Sequence, residues 1–164
     1  MFCFYEKDRK LSKILGFNSK KKPIYKTAFK HKSFCEKQNN ERLEFLGDSI
    51  LNKIVSEHVF LKHKNEEEGF LSKKRSLIVA RKHLNMVGKK IINEKDILTK
   101  LKKIPDSVFG NTLEAIIGAI YIEKGIKKTK CFVKNNIINS SFIKETLNTD
   151  YKTQLQINSQ KQNK

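Results

Sequence analysis

Between residues 41 and 60 apolar side chains return at steps of three and four: Leu43, Leu46, Ile50 and Ile54, with Phe45, Leu51 and Val55 widening the stripe. That period predicts an α-helix with one buried face. Residues 111–123 are more strongly apolar and predict a second helix, stopped by Gly125. A last helix over residues 129–143 has Phe132, Val133, Ile137 and Ile138 to bury. Weaker patterns fill the rest. Leu11, Ile14 and Leu15 sit at helical spacing before a break at Gly16-Phe17-Asn18-Ser19. After a lysine-rich turn with Pro23, Ile24, Ala28 and Phe29 suggest a short helix ending near Ser33-Phe34. Polar residues 36–40 form a loop in which Asn39 or Asn40 can cap the following helix. A polar connection over residues 63–69 leads into a helix with Leu71, Leu77, Ile78 and Leu84 on its apolar side and Lys73, Lys74, Arg75, Arg81 and Lys82 on the other. Another helix covers residues 85–92, and residues 93–107, with Pro105, read as an irregular connection. Strand patterns are poor, so the predicted class is all-α.

With 164 residues, two prolines and seven glycines, the chain suits one domain with one core and little room for a structureless linker. The formal net charge of +18 attracts polyanions, of which nucleic acid is the commonest. Only Arg9, Arg42, Arg75 and Arg81 among the 35 basic residues are arginine. This lysine bias, with many Asn and Ile, equally fits AT-rich codon usage, so charge alone does not decide for nucleic acid. Cys3, Cys35 and Cys131 are odd in number, far apart and outside any CxxC arrangement, which fits a reducing cytosol rather than a disulfide framework or zinc site. The apolar start Met1-Phe2-Cys3-Phe4-Tyr5 is too short for a signal-peptide core, and no run approaches the ~20 apolar residues of a membrane span. The expectation is a cytoplasmic protein without membrane attachment.

Two segments carry acidic residues inside otherwise apolar helices. In NERLEFLGDSIL, residues 40–51, Glu41, Glu44 and Asp48 are spaced three and four apart and share one helix stripe. In GNTLEAIIGAIY, residues 110–121, Asn111 and Glu114 share another. Neighbouring carboxylates on one face repel, a penalty that becomes a binding asset if divalent cations neutralise it. Hard cations such as Mg²⁺ take oxygen ligands and often use few protein carboxylates. Two helices crossing with these faces inward would gather Glu44, Asp48, Asn111 and Glu114, and Gly47 and Gly118 permit close approach. Plainer readings stand beside this one. Glu41 alone is ordinarily a solvated side chain, and Glu114 could be held by a buried salt bridge to lysine. Asp48 is a poor helix-interior residue, and an unpaired Glu114 among Leu113, Ala115, Ile116 and Ile117 would be costly to bury.

NERLEFLGDSIL resembles the signature of the ribonuclease III family almost letter for letter. Ala28-Phe29-Lys30-His31-Lys32-Ser33-Phe34, then Glu68-Gly69-Phe70-Leu71-Ser72 with Arg75 and Leu77, then Leu113 to Tyr121 resemble further blocks in order and spacing. The resemblance covers residues from roughly 10 to 145. It implies the family's helical endonuclease fold, dimeric, cutting double-stranded RNA with Mg²⁺ (Mn²⁺ as substitute) and no small-molecule cofactor. The products would carry 5′-phosphate and 3′-hydroxyl ends, and the targets would be rRNA and mRNA precursors. It implies Asp48 and Glu114 as catalytic residues and Glu44, Asn111 and Glu114 as metal ligands. Glu41 and Glu68 match acidic positions of the cleavage cleft. Phe45 matches an aromatic that enters a socket on the partner subunit, although ordinary core packing would also suit it. Asn111 stands where most members carry aspartate, though some carry asparagine, so weaker metal binding is expected. Asp150-Tyr151-Lys152-Thr153-Gln154-Leu155-Gln156 resembles the junction to the family's double-stranded-RNA-binding domain. The expected division is a catalytic domain over residues 1–147 and a linker with the start of that second domain over residues 148–164. The alternative is a catalytically weak or inactive member that only binds or assembles on RNA; Glu44, Asp48 and Glu114 argue for the enzyme. No helix-turn-helix or zinc pattern supports a DNA-binding protein.

Overall fold

The computed structural model describes residues 11–140 apart from 13, 20 and 21. Among the described residues the main helices are α1 (Lys22–Ala28), α2 (Glu41–Lys62), α3 (Glu68–Ile78), α4 (Arg81–Ile91) and α5 (Asp106–Val133). A 3-10 turn, Glu94–Asp96, precedes α5, and a π-helical turn, Lys134–Ile138, follows it. No strand is present among the described residues, which makes the class all-α; the one β-type pairing is an isolated bridge between Lys30 and Leu98. Among them, too, no helix is long and apolar enough to cross a membrane.

The first half of α5 is the centre of the molecule. It is buried continuously from Thr112 to Ile120, and α1, α2 and α4 all pack on it. A helix apolar on every side needs neighbours on every side, and its composition dictates that position. Helix α2 is amphipathic and gives α5 one face: Leu43, Gly47, Leu51, Ile54, Val55 and Val59 are buried. Helix α4 contributes His83, Leu84, Val87 and Gly88. Helix α3, rich in lysine, buries only Ile78 fully and packs mainly on α2.

Gly125 interrupts α5 with φ +70° and ψ −177°, a backbone region essentially restricted to glycine. The predicted stop therefore falls where expected, and the chain resumes a helix directly after it. Thr129 Oγ1 donates to the Gly125 carbonyl oxygen at 2.9 Å.

Three boundaries differ from the sequence reading. Helix α1 ends at Ala28 rather than near Ser33-Phe34, because the next residues pair with a distant segment. Leu98 N–H donates to Phe29 O and His31 N–H donates to Leu98 O, both at 2.9 Å. The break expected between residues 84 and 85 lies at Val79-Ala80. There the buried His83 ring takes the Ile78 carbonyl through Nδ1 at 2.7 Å and meets Ser140 Oγ through Nε2 at 2.8 Å. Helix α5 begins at Asp106, straight after Pro105, five residues earlier than the apolar run suggested. The expected end of the last helix, residue 143, and the expected domain junction at residues 148–164 lie outside the described residues.

Candidate active site

The site grows from the crossing of α2 and α5. At Gly47 an added Cβ would lie 1.7 Å from the backbone oxygen of Glu114, and at Gly118 one would lie 2.4 Å from that of Leu43. Backbone therefore meets backbone, and no side chain larger than hydrogen fits at either position. Residues one step or one turn from these glycines must flank the contact. On α2 these are Glu44 and Asp48; on α5 they are Glu114 and, one turn further out, Asn111. All four line one cleft of about 490 Å³, together with His31, Lys32, Asn40, Glu41, Phe45 and Arg81.

Glu114 is the innermost of these four, its side chain only 4% exposed. Burial pushes its carboxyl up to about 7, with Asp48 and Glu44 adding to the rise and Arg81 opposing it. Glu44, half-buried, is also raised, first by burial and then by Glu41 and Asp48, against Arg81 and Lys32. Asp48 is exposed, and its Oδ1 accepts from Asn52 Nδ2 at 2.9 Å. Arg81 opens α4 and reaches back over the cluster. Its Nη1 donates to Asn111 Oδ1 at 2.6 Å and to Glu114 Oε2 at 3.3 Å. The lysine partner considered for Glu114 is thus an arginine. Asn39, rather than Asn40, uses its side chain at the start of α2, accepting from the Glu41 N–H at 3.0 Å. Asn40 is buried and its Nδ2 has no partner.

Glu41 stands at the rim in an exposed ion pair with Lys32 at 3.2 Å. Glu68 is not brought to the cluster within one chain. It begins α3, accepts from Ser72 Oγ at 2.6 Å and borders a separate groove with Phe60 and Arg75. Phe45 is 78% exposed, so core packing within this chain does not account for it. It stands beside an apolar groove formed with Ile24, Leu43, Leu46 and Ile122.

Among the described residues, no three His, Cys, Asp or Glu side chains already surround a single point as a metal cage would. The donor set is nevertheless hard oxygen throughout, carboxylates and one amide carbonyl. A buried carboxylate with a raised pKa beside two others fits a divalent cation bound by few protein ligands and water. Sequence reading missed Arg81, which it counted only as a basic residue on a helix. No local signal marks it in the sequence, because the Asn111 it reaches lies 30 residues away.

The chain matches the family model described as Ribonuclease-III-like over residues 21–141. Ribonuclease 3 of Azobacteroides pseudotrichonymphae is 43% identical over 84% of this chain and 55% of the relative. Ribonuclease 3 of Clostridium kluyveri is 42% identical over 89% of this chain and 65% of the relative. The chain thus spans between 55% and 65% of the length of these curated relatives. Among solved structures, the nuclease domain of ribonuclease III from Campylobacter jejuni superposes with a TM-score of 0.74 at 36% identity, covering 78% of this chain and 94% of that one. That domain is described with structural flexibility in a region involved in dimer formation.

Proposed function

The chain belongs to the ribonuclease III-like family, and from that premise we propose that it is an endoribonuclease cutting both strands of double-stranded RNA. The observation that carries this reading is the gathering of Glu44, Asp48, Asn111 and Glu114 from two helices around one cleft, with Glu114 buried at its base. A fold kept only for RNA binding has no use for three carboxylates pointed at a polyanion, which repel the ligand it must hold.

Glu44, Asn111 and Glu114 would hold the divalent cation, Mg²⁺ with Mn²⁺ as substitute, and Asp48 and Glu114 would be the catalytic acids. When bound, the cation supplies activation of water and charge stabilisation at the phosphodiester. The chain's own residues do the rest. The Gly47–Gly118 crossing fixes the depth of Glu114, and Asp48, on the exposed side, would meet incoming water and the departing 3′ oxygen. Cleavage at the 3′ O–P bond leaves 5′-phosphate and 3′-hydroxyl ends. Lysines supply the docking charge, since A-form RNA is read by shape, 2′-hydroxyls and phosphates. Exposed Phe45 and its adjoining apolar groove support a homodimer in which each Phe45 enters the partner's groove, giving two cuts per duplex. In the dimer Glu68 would serve the cleft as well. The free Cys35 and Cys131 suit the cytoplasm, where rRNA and mRNA precursors are the substrates.

The test is cleavage of a labelled RNA duplex of more than about two helical turns at low salt, compared in Mg²⁺, Ca²⁺ and EDTA and with Glu114→Gln. Cuts that require Mg²⁺ and vanish in the variant are expected. Tight duplex binding without cuts in Mg²⁺ or Mn²⁺ would instead make the protein an RNA-binding member of the family.

A further inference from the structure

A single guanidinium nitrogen of Arg81 bridges two oxygen donors, Asn111 Oδ1 at 2.6 Å and Glu114 Oε2 at 3.3 Å. Both are groups that the proposed function gives to a divalent cation. The arginine side chain is 56% exposed while its glutamate partner is 4% exposed. The two ends of this contact therefore have unequal freedom. Glu114 is fixed at the base of the cleft by a buried helix, whereas Arg81 stands on a flexible stem at the first position of α4. Asn111 adds a neutral acceptor, which holds a guanidinium less firmly than a carboxylate would. A half-exposed pair of this kind is worth little in itself. If the arginine left and nothing replaced it, however, the buried carboxylate would face Glu44 and Asp48 without a counter-charge. Lys32, the other cation of the cleft, stays at the rim with exposed Glu41.

We propose that Arg81 competes with the divalent cation for Glu114 and Asn111, and that once displaced it turns its guanidinium to a phosphate of the RNA duplex. The proposal rests on the reading of the cleft as a nuclease centre. A guanidinium and a divalent ion held on the same two oxygens would stand a few ångströms apart and repel each other, so each weakens the other's hold. The planar fork of arginine matches the paired oxygens of a phosphate, and a bound duplex brings such oxygens to the cleft mouth. RNA and the cation then favour one another: the duplex draws Arg81 off the donors, and the cation frees Arg81 for the duplex. By linkage the mutual enhancement is the same factor in both directions.

The experiment measures Mn²⁺ binding to the full chain without RNA, by electron paramagnetic resonance, in wild type, Arg81→Ala, Arg81→Gln and Lys32→Ala. Melting curves verify that each is folded. Both Arg81 variants should bind Mn²⁺ tighter by roughly 1.5- to 5-fold, the worth of a screened charge pair, with Lys32→Ala clearly less affected. Unchanged or weaker binding in the Arg81 variants overturns the proposal. So does equal tightening in Lys32→Ala, which would be a general effect of charge. Absence of Mn²⁺ binding in every protein, wild type included, overturns the metal-site reading itself and is thereby distinguishable. The phosphate half is tested by duplex affinity against salt. In Ca²⁺, Arg81→Ala should reduce the logarithmic salt slope by roughly 0.7–0.9, one phosphate contact, and in EDTA leave it unchanged. An unchanged slope in Ca²⁺ overturns that half.

Discussion

Replacing Gly47 by alanine tests the helix crossing on which the whole site depends. The new Cβ would stand 1.7 Å from the Glu114 backbone oxygen and 2.6 Å from its carbonyl carbon, where real Cβ contacts stay beyond 3.0 Å. Neither atom belongs to a side chain that can rotate away, so α2 and α5 must part by on the order of an ångström. A gap of that size forfeits about a quarter to a half of the dispersion well for each contact across it, and this crossing is the most extensive in the molecule. Overpacking typically costs about 1–3 kcal/mol, more against rigid backbone, while alanine regains about 1 kcal/mol of helix propensity. A clash this deep into backbone on both sides lies at the upper end of that range, so after the propensity gain a net loss of about 2 kcal/mol is expected. At about 2–4 °C per kcal/mol for a domain of this size, the melting temperature falls by roughly 4–8 °C. Circular dichroism melts at 222 nm read this directly, and urea titration gives the free energy. Parting the helices also lifts Glu114 away from Glu44 and Asp48, so cleavage below the melting transition should fall as well. Gly69→Ala is the control, since no atom lies within 4 Å of its added Cβ; it should be neutral or slightly stabilising. A Gly47→Ala melting temperature within about 2 °C of wild type would refute the close-crossing argument.

Glu114 gives a pH dependence whose sign can be stated. Its folded pKa, about 7, lies above the ordinary 4.5, so its stabilising share is complete below about 4.5 and is lost as pH rises to about 7. Metal-free wild type should lose stability over that window relative to Glu114→Gln; parallel pH profiles would contradict this. His83 behaves oppositely, because burial lowers its pKa below 6.5. Its contribution is present above 6.5 and fades as pH falls through the lower folded value, and an NMR titration giving 6.5 or more for its ring would count against the buried neutral imidazole. Asn111→Asp should lower the Mg²⁺ concentration for half-maximal cleavage, because a divalent ion gains twice the attraction that the Arg81 cation gains; an unchanged or raised requirement sinks that expectation. Phe45→Ala should leave monomer stability within about 0.5 kcal/mol while raising the dimer dissociation constant about tenfold or more, as read by sedimentation across a concentration series. Equal dimerisation of the two proteins would remove Phe45 from the interface.

Helices α2 and α5 were legible because each obeys one strong rule, a 3–4 apolar stripe in the first and continuous apolarity in the second. Glu44, Asp48, Asn111 and Glu114 were legible for a related reason: polar groups on those stripes stand out against the residues the stripes must bury. What escaped the sequence depends on contacts between distant segments. The end of α1 is set by Leu98, some 70 residues on, whose backbone pairs with Phe29 and His31. The break between α3 and α4 coincides with the ring of His83, which takes a carbonyl five residues back and a hydroxyl 57 residues ahead. Nothing local distinguishes His83 from the half-buried His31, His58 and His63. Arg81 escaped in the same way, since its partners become neighbours only when α4 lies against α5.

The position of Glu114 follows from a conflict between folding and chemistry. Ala115, Ile116 and Ile117 beside it are fully buried, and a carboxylate in that company raises the free energy of the fold. Its pKa near 7 is the visible measure of that cost. A leucine there would remove the cost and, with it, the reason for a cation to enter. The same burial that weakens the metal-free protein strengthens the attraction for a positive ion, because little water screens the charge. Arg81 offsets part of the cost while remaining exposed enough to leave. The glycine crossing keeps Glu114 at fixed depth, so a change of cation need not be accompanied by movement of the helices. Stability lost at one buried residue is thus held in reserve as affinity for the ion that the proposed catalysis would use.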